Sequence, residues 1–423
     1  MPSDQRGPQS ATRVRHGVLG FTLVLTAVAY LDRVCISTAA PAMKADLGLS
    51  DAQMGYVFSA FTFAYALMEV PSGWLADRFG PRLMLTRIVI WWSVMTAATG
   101  WAAGFASLFV IRMLFGIGEA GCFPSMARVY SRWLPAREHG RAFGLAVMTG
   151  AFGGAVTQPL VVWMLERMHW RHTFPIFGFV GVAWALAWFC WFRNDPHYHR
   201  AVNETELRVI GTPPPVPHER VPWASLFKSP NLLVICLMYG GTIYGWYFYL
   251  TWLPTYLLRA RNFNLKEVGW LAALPLVGLG VGVAAGGWLS DVLTRRYGPR
   301  IGRRLPGLIG LPLGAVAIVT AVMTANPIGA ALSIAAAATF AAFGVAAGWA
   351  VCVEIGGRHS GVVSGAMNTF GNLGGALSPV VVGLCLDKWN SWNGPLLTVA
   401  AFYLVAAASW LAIDPTEALA TTN

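Results

Sequence analysis

The 423-residue chain is 56 % hydrophobic and only 12 % charged, with a formal net charge of +11. Soluble domains carry about 25 % charged residues, and disordered chains combine low hydrophobicity with high charge, so both classes are excluded. A polytopic membrane protein remains, and 19 Trp, 12 Tyr and 23 Phe suit a chain with two lipid–water interfaces.

A polar, basic tail (residues 1–17) precedes the first apolar run, which is too long for a signal peptide and lacks a small-residue cleavage site. A helix needs roughly 20 apolar residues to cross a bilayer. Twelve runs meet this, over residues 18–40, 52–76, 83–104, 106–131, 140–165, 172–193, 231–258, 268–290, 305–324, 327–352, 360–385 and 393–412. They are numbered spans 1 to 12 below. The longest polar stretch, 194–229, contains Gly211-Thr-Pro-Pro-Pro-Val-Pro217, which reads as stiff and extended. It separates a six-helix bundle (18–193) from a second one (230–412), which ends in a short tail (413–423).

Lys and Arg in short loops set orientation. With both termini cytoplasmic, cytoplasmic segments hold 21 of the 30 Lys+Arg and outer loops hold seven, while Arg33 and Arg112 lie inside spans. This bias accounts for the basic charge without nucleic acid, and the positive face meets anionic lipid.

The segment after span 2 reads Gly73-Trp-Leu-Ala-Asp-Arg-Phe-Gly-Pro-Arg82. The segment after span 8 reads Gly287-Trp-Leu-Ser-Asp-Val-Leu followed by Thr-Arg-Arg-Tyr-Gly-Pro-Arg300. The same motif at matched places in two halves marks a duplicated fold with parallel repeats, and it resembles the architecture of the major facilitator superfamily. Gly73 permits close helix approach. Asp77, with Arg78, and its counterpart Asp291 stand at helix ends where a carboxylate can accept bonds from a neighbouring helix or an Arg. They read as a cytoplasmic gate, against the alternative of solvated loop charges.

Charges inside the membrane are expensive, about 2.5–3.5 kcal/mol each even on the mild insertion scale. Span 1 carries Asp32 and Arg33, span 4 carries Arg112 and Glu119, and span 2 carries Glu69 near its inner end. Arg112 and Glu119, seven apart, share a helix face, whereas Asp32 and Arg33 point about 100° apart. The four charges sum to zero. An arriving carboxylate needs a free Arg, whose planar fork suits bidentate binding. Protonating Asp32 or Glu119 releases that Arg, and a carboxyl withdrawn from water holds a proton more readily. Proton binding and anion binding then favour each other by linkage, which is carboxylate–proton symport. Purely structural salt bridges are the alternative, but buried pairs stabilise poorly.

Span 7 is rich in aromatic residues, and Tyr244, Tyr247 and Trp252 are candidates for lining a cavity, with interface packing as the alternative. Gln158, beside Pro159 on span 5, is a candidate substrate contact. The six cysteines read as small buried hydrophobes, the eight histidines show no metal-ligand spacing, and no Walker-type phosphate loop occurs. No metal, cofactor or enzymatic constellation is expected.

Tyr30-Leu-Asp-Arg33, Ser59-Ala-Phe61 with Tyr65, Pro71-Ser-Gly-Trp-Leu-Ala-Asp-Arg78 and Arg112-Met-Leu-Phe-Gly-Ile-Gly-Glu119 with Pro124 resemble the anion:cation symporter family of that superfamily. So do Tyr249-Leu-Thr-Trp-Leu-Pro-Thr-Tyr256 and Ser364-Gly-Ala-Met-Asn-x3-Asn372 with Pro379. The family includes bacterial hexonate, hexuronate and aldarate transporters, vesicular glutamate transporters and sialin. The resemblance implies that Arg33 binds the substrate carboxylate, that Asp32 and Glu119 carry protons, and that Arg112 pairs with those acids. It implies a cavity role for Tyr65 and binding of sugar-acid hydroxyls around Asn368 and Asn372. Two features depart from the family. Glu69 stands where a neutral amide is usual, as a gate partner or an extra proton site. Val351-Cys-Val-Glu354 at the end of span 10 is poor in hydroxyls.

The expectation is therefore an all-α, twelve-span transporter of the bacterial inner membrane with both termini cytoplasmic. It works as a monomer by alternating access, and its partners are a small organic anion, protons and the lipid bilayer. Sodium-coupled or facilitative carriage of an aromatic or other small carboxylate is the alternative.

Overall fold

A computed structural model describes residues 10–211 and 229–417, except for the side chains of Val70, Asp77, Ala136 and Arg358. The chain is helical throughout these residues. Ten helical stretches are long and apolar enough to cross a membrane. Asp51–Phe79 (span 2) and Pro81–Thr99 (span 3) complete the set of twelve.

Several spans are longer than their apolar runs. Span 1 covers Val14–Leu47 and closes at Gly48, whose φ of 64° is left-handed. Span 8 covers Leu265–Tyr297 and starts from a capping box in which Asn264 and Glu267 bond reciprocally. Span 2 starts from the equivalent box of Ser50 and Gln53. Such boxes satisfy amides that the first helical turn leaves unpaired.

The duplicated motif folds the same way twice. Span 2 ends and span 3 begins on Gly80, at φ 78°, with Pro81 in the first turn. Span 8 ends and span 9 (Pro299–Met323) begins on Gly298, at φ 83°, with Pro299 in the first turn. A residue without Cβ takes that φ freely, and proline suits a position whose N–H has no intrahelical partner.

The remaining spans are 5 (His139–Leu165), 6 (Trp170–Trp191), 11 (Ser360–Trp389) and 12 (Asn393–Ala412), with three that are broken. Span 4 runs Phe105–Glu119 and resumes as Cys122–Trp133; span 7 runs Pro230–Thr251 and resumes as Leu253–Ala260; span 10 runs Pro327–Ala341 and resumes as Phe343–Gly356. The sequence reading treated each as continuous. The break in span 4 falls directly after Glu119, where Gly121 adopts φ 91° against Ser72 of span 2.

Span 1 packs on spans 5 and 6, span 3 on span 6, span 9 on spans 10 and 12, and span 7 on spans 11 and 12. The two sets meet mainly where span 2 runs along span 11 and span 5 along span 8. The described termini share one end of the bundle, called proximal here: Asp414 pairs with Arg300 at the start of span 9, and Glu206 holds the start of span 1. The opposite end is distal.

Between the bundles the chain is more ordered near span 6 than an extended linker implies. Glu204–Ile210 is a short helix capped by Asn203. Its Glu206 is fully buried and accepts from the Val14 and Arg15 amides, at 3.2 and 3.0 Å, and from the Thr12 hydroxyl. An acidic group at a helix N-terminus is electrostatically favoured. Residues 212–228, including most of the proline-rich stretch, lie outside the described residues.

Candidate functional site

A small cavity, about 10 Å³ of water-accessible space, lies among spans 1, 2, 4 and 7. Arg33 and Ile36 line it from span 1, Phe58, Phe61 and Thr62 from span 2, Arg112 from span 4, and Tyr247, Leu250 and Thr251 from span 7. That is roughly one water's worth of space, so the site is shut and has to widen to admit a solute.

The two arginines stand in different electrostatic settings. Arg33 Nε donates to Glu119 Oε1 at 2.7 Å, and its guanidinium lies 5.0 Å from the Tyr65 ring centre and 5.4 Å from that of Phe61. Arg112 has no ion-pair or hydrogen-bond partner among the described residues and rests 4.5 Å from the ring centre of Phe115 and 5.0 Å from that of Phe61. No direct bond joins Arg112 to either acid among the described residues, although both Glu119 and Asp32 lie within electrostatic reach of it. Although Arg112 and Glu119 share a face, the Arg reaching Glu119 comes from span 1.

Buried polar atoms without partners gather around this cavity: Arg33 Nη2, Arg112 Nε and Glu119 Oε2. Each is penalised by its burial unless something meets it. Asp32 does not line the cavity. It is buried against Thr96 and Trp92 of span 3, whose hydroxyl and indole N–H are the polar groups facing its carboxylate. The 100° offset between Asp32 and Arg33 thus separates one acid from the cavity while the neighbouring Arg enters it.

A chain of bonds leads from the cavity toward the proximal end. The Tyr247 hydroxyl donates to Asn372 Oδ1 at 3.1 Å. Asn372 Nδ2 donates to the Asn368 carbonyl at 3.1 Å, and Asn368 Nδ2 donates to Glu69 Oε1 at 2.6 Å. The last bond joins span 11 to span 2, so Glu69 meets a helix of the other half rather than the nearby loop.

Of the substrate-contact candidates Arg33, Arg112 and Tyr247 line the cavity, Tyr65, Asn368 and Asn372 stand behind its lining residues, and the other three pack elsewhere. The Tyr244 hydroxyl is shared with Thr398 at 2.9 Å, and its ring stacks on Phe402 with centres 4.0 Å apart, so it packs against span 12. Trp252 Nε1 donates to the Pro379 carbonyl at 3.1 Å, with the Phe58 ring nearly perpendicular to its own at 5.6 Å, so it cements span 7 to span 11. Gln158 accepts from Thr38 and ties span 5 to span 1; Thr38 borders a separate, largely apolar distal groove of about 410 Å³. The sequence reading missed the apolar wall formed by Ile36, Phe58 and Leu250. Their spacing differs in no way from that of core residues.

The gate candidates separate as well. Gly73 lies against Pro124, with 3.6 Å to a Cβ built on it. Arg78 lies over the rings of Trp74 and Phe79, and the Asp77 side chain is outside the described residues. Asp291 accepts from Arg303 at 2.9 Å, and Arg303 also reaches Glu354 at 2.8 Å. This latch joins spans 8, 9 and 10 within one half. It does not bridge the two halves.

The chain matches the Major Facilitator Superfamily over residues 22–379 and 260–423. It is 35 % identical to a probable sulfoacetate transporter, SauU, of Cupriavidus necator, over 95 % of this chain and 94 % of that one. It is 31 % identical to a probable galactarate/D-glucarate transporter, GudP, of Escherichia coli, over 96 % of this chain and 94 % of that one. Among solved structures, a bacterial homologue of the human lysosomal transporter Spinster, inward-facing and unoccupied, superposes with a TM-score of 0.78 at 20 % identity, covering 96 % of this chain and 98 % of that one. That likeness speaks to the fold.

Proposed function

Because the chain belongs to the Major Facilitator Superfamily, a family of transporters and not enzymes, we propose that it is a secondary active symporter that carries an organic carboxylate together with protons. The observation that carries this reading is Arg112, a buried guanidinium at the cavity wall with no hydrogen-bond or ion-pair partner among the described residues. A carboxylate satisfies its fork in a bidentate way.

Proton coupling enters through Arg33. With Glu119 ionised, Arg33 is held by it at 2.7 Å. A proton on Glu119 removes that attraction and turns Arg33 toward the anion. A proton on Asp32 removes a second negative charge near Arg112. Each proton therefore strengthens anion binding, and by linkage the anion strengthens proton binding. Alternating access moves the loaded site between the two sides by rocking the halves. In this reading Tyr65 and Phe61 shelve the guanidiniums, Tyr247 orients the anion, and Asn368, Asn372 and Glu69 close the proximal side.

The names of the relatives, galactarate/D-glucarate and sulfoacetate transporters, support an organic anion as cargo, and the first agrees with the sugar-acid expectation. The proximal end faces the cytoplasm of a bacterial inner membrane, by the Lys and Arg bias of the loops, and one chain carries a complete cavity, which fits a monomer.

The test is uptake into proteoliposomes with an imposed pH gradient, acidic outside, against matched vesicles with a sodium gradient or none. Concentrative uptake driven by the pH gradient, with substrate-induced alkalinisation outside, is expected. Uptake driven by sodium alone assigns sodium coupling to the site instead, and uptake indifferent to both gradients makes the protein a facilitator.

A further inference from the structure

The polar groups of the arginine pocket divide into those already bonded within the protein and those left free. Tyr247 gives its proton to Asn372, and Thr251 donates to the carbonyl of Tyr247. Asn372 gives one amide N–H to the Asn368 carbonyl and Asn368 gives one to Glu69, and neither amide lines the cavity. The remaining hydroxyl bordering the cavity, that of Thr62, faces that of Tyr247. The rest of the wall is Ile36, Phe58, Phe61 and Leu250.

A hexonate or hexarate brings several hydroxyls, each of which is penalised when buried without a partner. A wall of this kind discriminates against them. The free donors are instead charged. Arg112 is unpaired among the described residues, and Arg33 Nη2 is left over beside its bond to Glu119. Both guanidiniums lie over one ring, Phe61, at 5.4 and 5.0 Å, so both charges border the same small space. Once Glu119, Asp32 and Glu69, whose carboxyl lies within electrostatic reach of Arg33, hold protons, that space faces two uncompensated cations, and a monoanion leaves one of them bare. Buried charge without a counter-charge is costly.

We propose that the substrate is a short, hydroxyl-poor organic dianion, with two anionic groups, carboxylate or sulfonate, at the ends of a short aliphatic chain. This rests on the anion-symport reading above and narrows it. One anionic group meets Arg112 and the other meets Arg33, while the short chain lies against Phe61, Phe58 and Leu250.

The experiment is a ligand panel on the purified full-length protein at mildly acidic pH, read as thermal shift and as half-saturating concentration. The probes are malonate, succinate and sulfoacetate; galactarate and D-gluconate; acetate and propionate; and malonamide as the uncharged analogue. The short dianions are expected to stabilise the protein at concentrations about tenfold or more below those needed for the hexose acids and for the monocarboxylates. In Arg112→Gln the preference for malonate over acetate should collapse. Galactarate or gluconate binding as tightly as malonate overturns the proposal and leaves anion transport standing. Acetate matching malonate in the wild-type protein overturns the two-charge assignment. No shift with any anion, or an equal shift with malonamide, sinks both this proposal and the anion-symport reading.

Discussion

Spans 2 and 11 touch along most of their length, and the two ends of that seam are built differently. At the distal end Asp51 accepts from Arg259 of span 7 at 2.8 and 3.0 Å and also pairs with Lys44. Asp387 of span 11 accepts from the Asp51 and Ala52 amides at 2.9 and 3.0 Å, which places a carboxylate of one half on the helix N-terminus of the other. Backbone meets backbone there: a Cβ built on Gly55 would come 2.4 Å from the Pro379 carbonyl oxygen, and one on Gly383 would come 2.5 Å from that of Asp51. At the proximal end the one side-chain bond among the described residues that joins these two spans is that from Asn368 to Glu69, and Gly361 and Gly365 beyond it face open space. Among the described residues, this conformation is sealed distally by many contacts and proximally by one hydrogen bond. Opening toward the proximal side breaks one described side-chain bond between these spans, whereas opening distally has to pull apart two charged clusters and a glycine-lined interface.

The strongest way to break this contrast is Gly55→Leu. Overpacking a tight interface costs about 1–3 kcal/mol, occasionally more, and here the obstacle is backbone, which does not yield. The distally closed state should be lost, uptake should fall to background, and a cysteine placed at Ile36 should become reachable by a membrane-impermeant thiol reagent from the distal side. Retained transport with no gain of distal labelling would show that the seam is not part of the cycle.

Next in size is Glu69→Ala. It removes a buried bond to a charged group, about 1.5–3 kcal/mol, and with it the only side-chain bond described here between spans 2 and 11 on the proximal side. Proximal labelling at Tyr65→Cys should rise about tenfold or more, at 1.4 kcal/mol per decade. Glu69→Gln, which keeps an acceptor for Asn368, should restore most of the closure. If Glu69→Gln behaves like Glu69→Ala, the charge of Glu69 matters and not its bond.

How much of this was legible in the sequence varies by physical cause. The twelve spans follow from apolar length, and the Gly80-Pro81 and Gly298-Pro299 turns follow from residues that only such turns favour. The meeting of Arg33 with Glu119 was nearly legible, because charges in lipid must find partners. What failed was direction around a helix. Span 7 is apolar on all sides, so no polar stripe told Tyr247, which enters the pocket, from Tyr244, which stacks on Phe402 three residues earlier. Partner choice also failed where a backbone break intervenes: the turn at Gly121 follows Glu119, and heptad spacing says nothing of which helix then supplies the cation. The distal clusters were invisible for a third reason. Asp51 and Asp387 are 336 residues apart, and each reads on its own as an ordinary helix-end charge.

A milder cut at the distal end is Asp387→Asn. An anion at a helix N-terminus contributes about 0.3–1 kcal/mol when partly exposed, and the amide side chain keeps one acceptor for the two backbone donors. Distal labelling should rise by a factor of about two to five, and because the charges are near water the difference from wild type should shrink as salt is raised. An effect as large as that of Gly55→Leu would mean that the seal is electrostatic and that its close packing follows from it.

The smallest effect should come from Asp291→Asn, and its value lies in what it leaves alone. Asp291 is largely exposed and bonds Arg303 within the same half, while Arg303 keeps Glu354 as a second partner. Exposed pairs contribute about 0.2–1 kcal/mol, so the melting temperature should drop by a few degrees at most. Neither distal nor proximal labelling should move, because neither seam bond passes through this latch. A shift in labelling on either side would show that ties inside one half set the balance between the two ends, and the contrast between a many-contact distal seal and a one-bond proximal seal would then describe one conformation without explaining the preference for it.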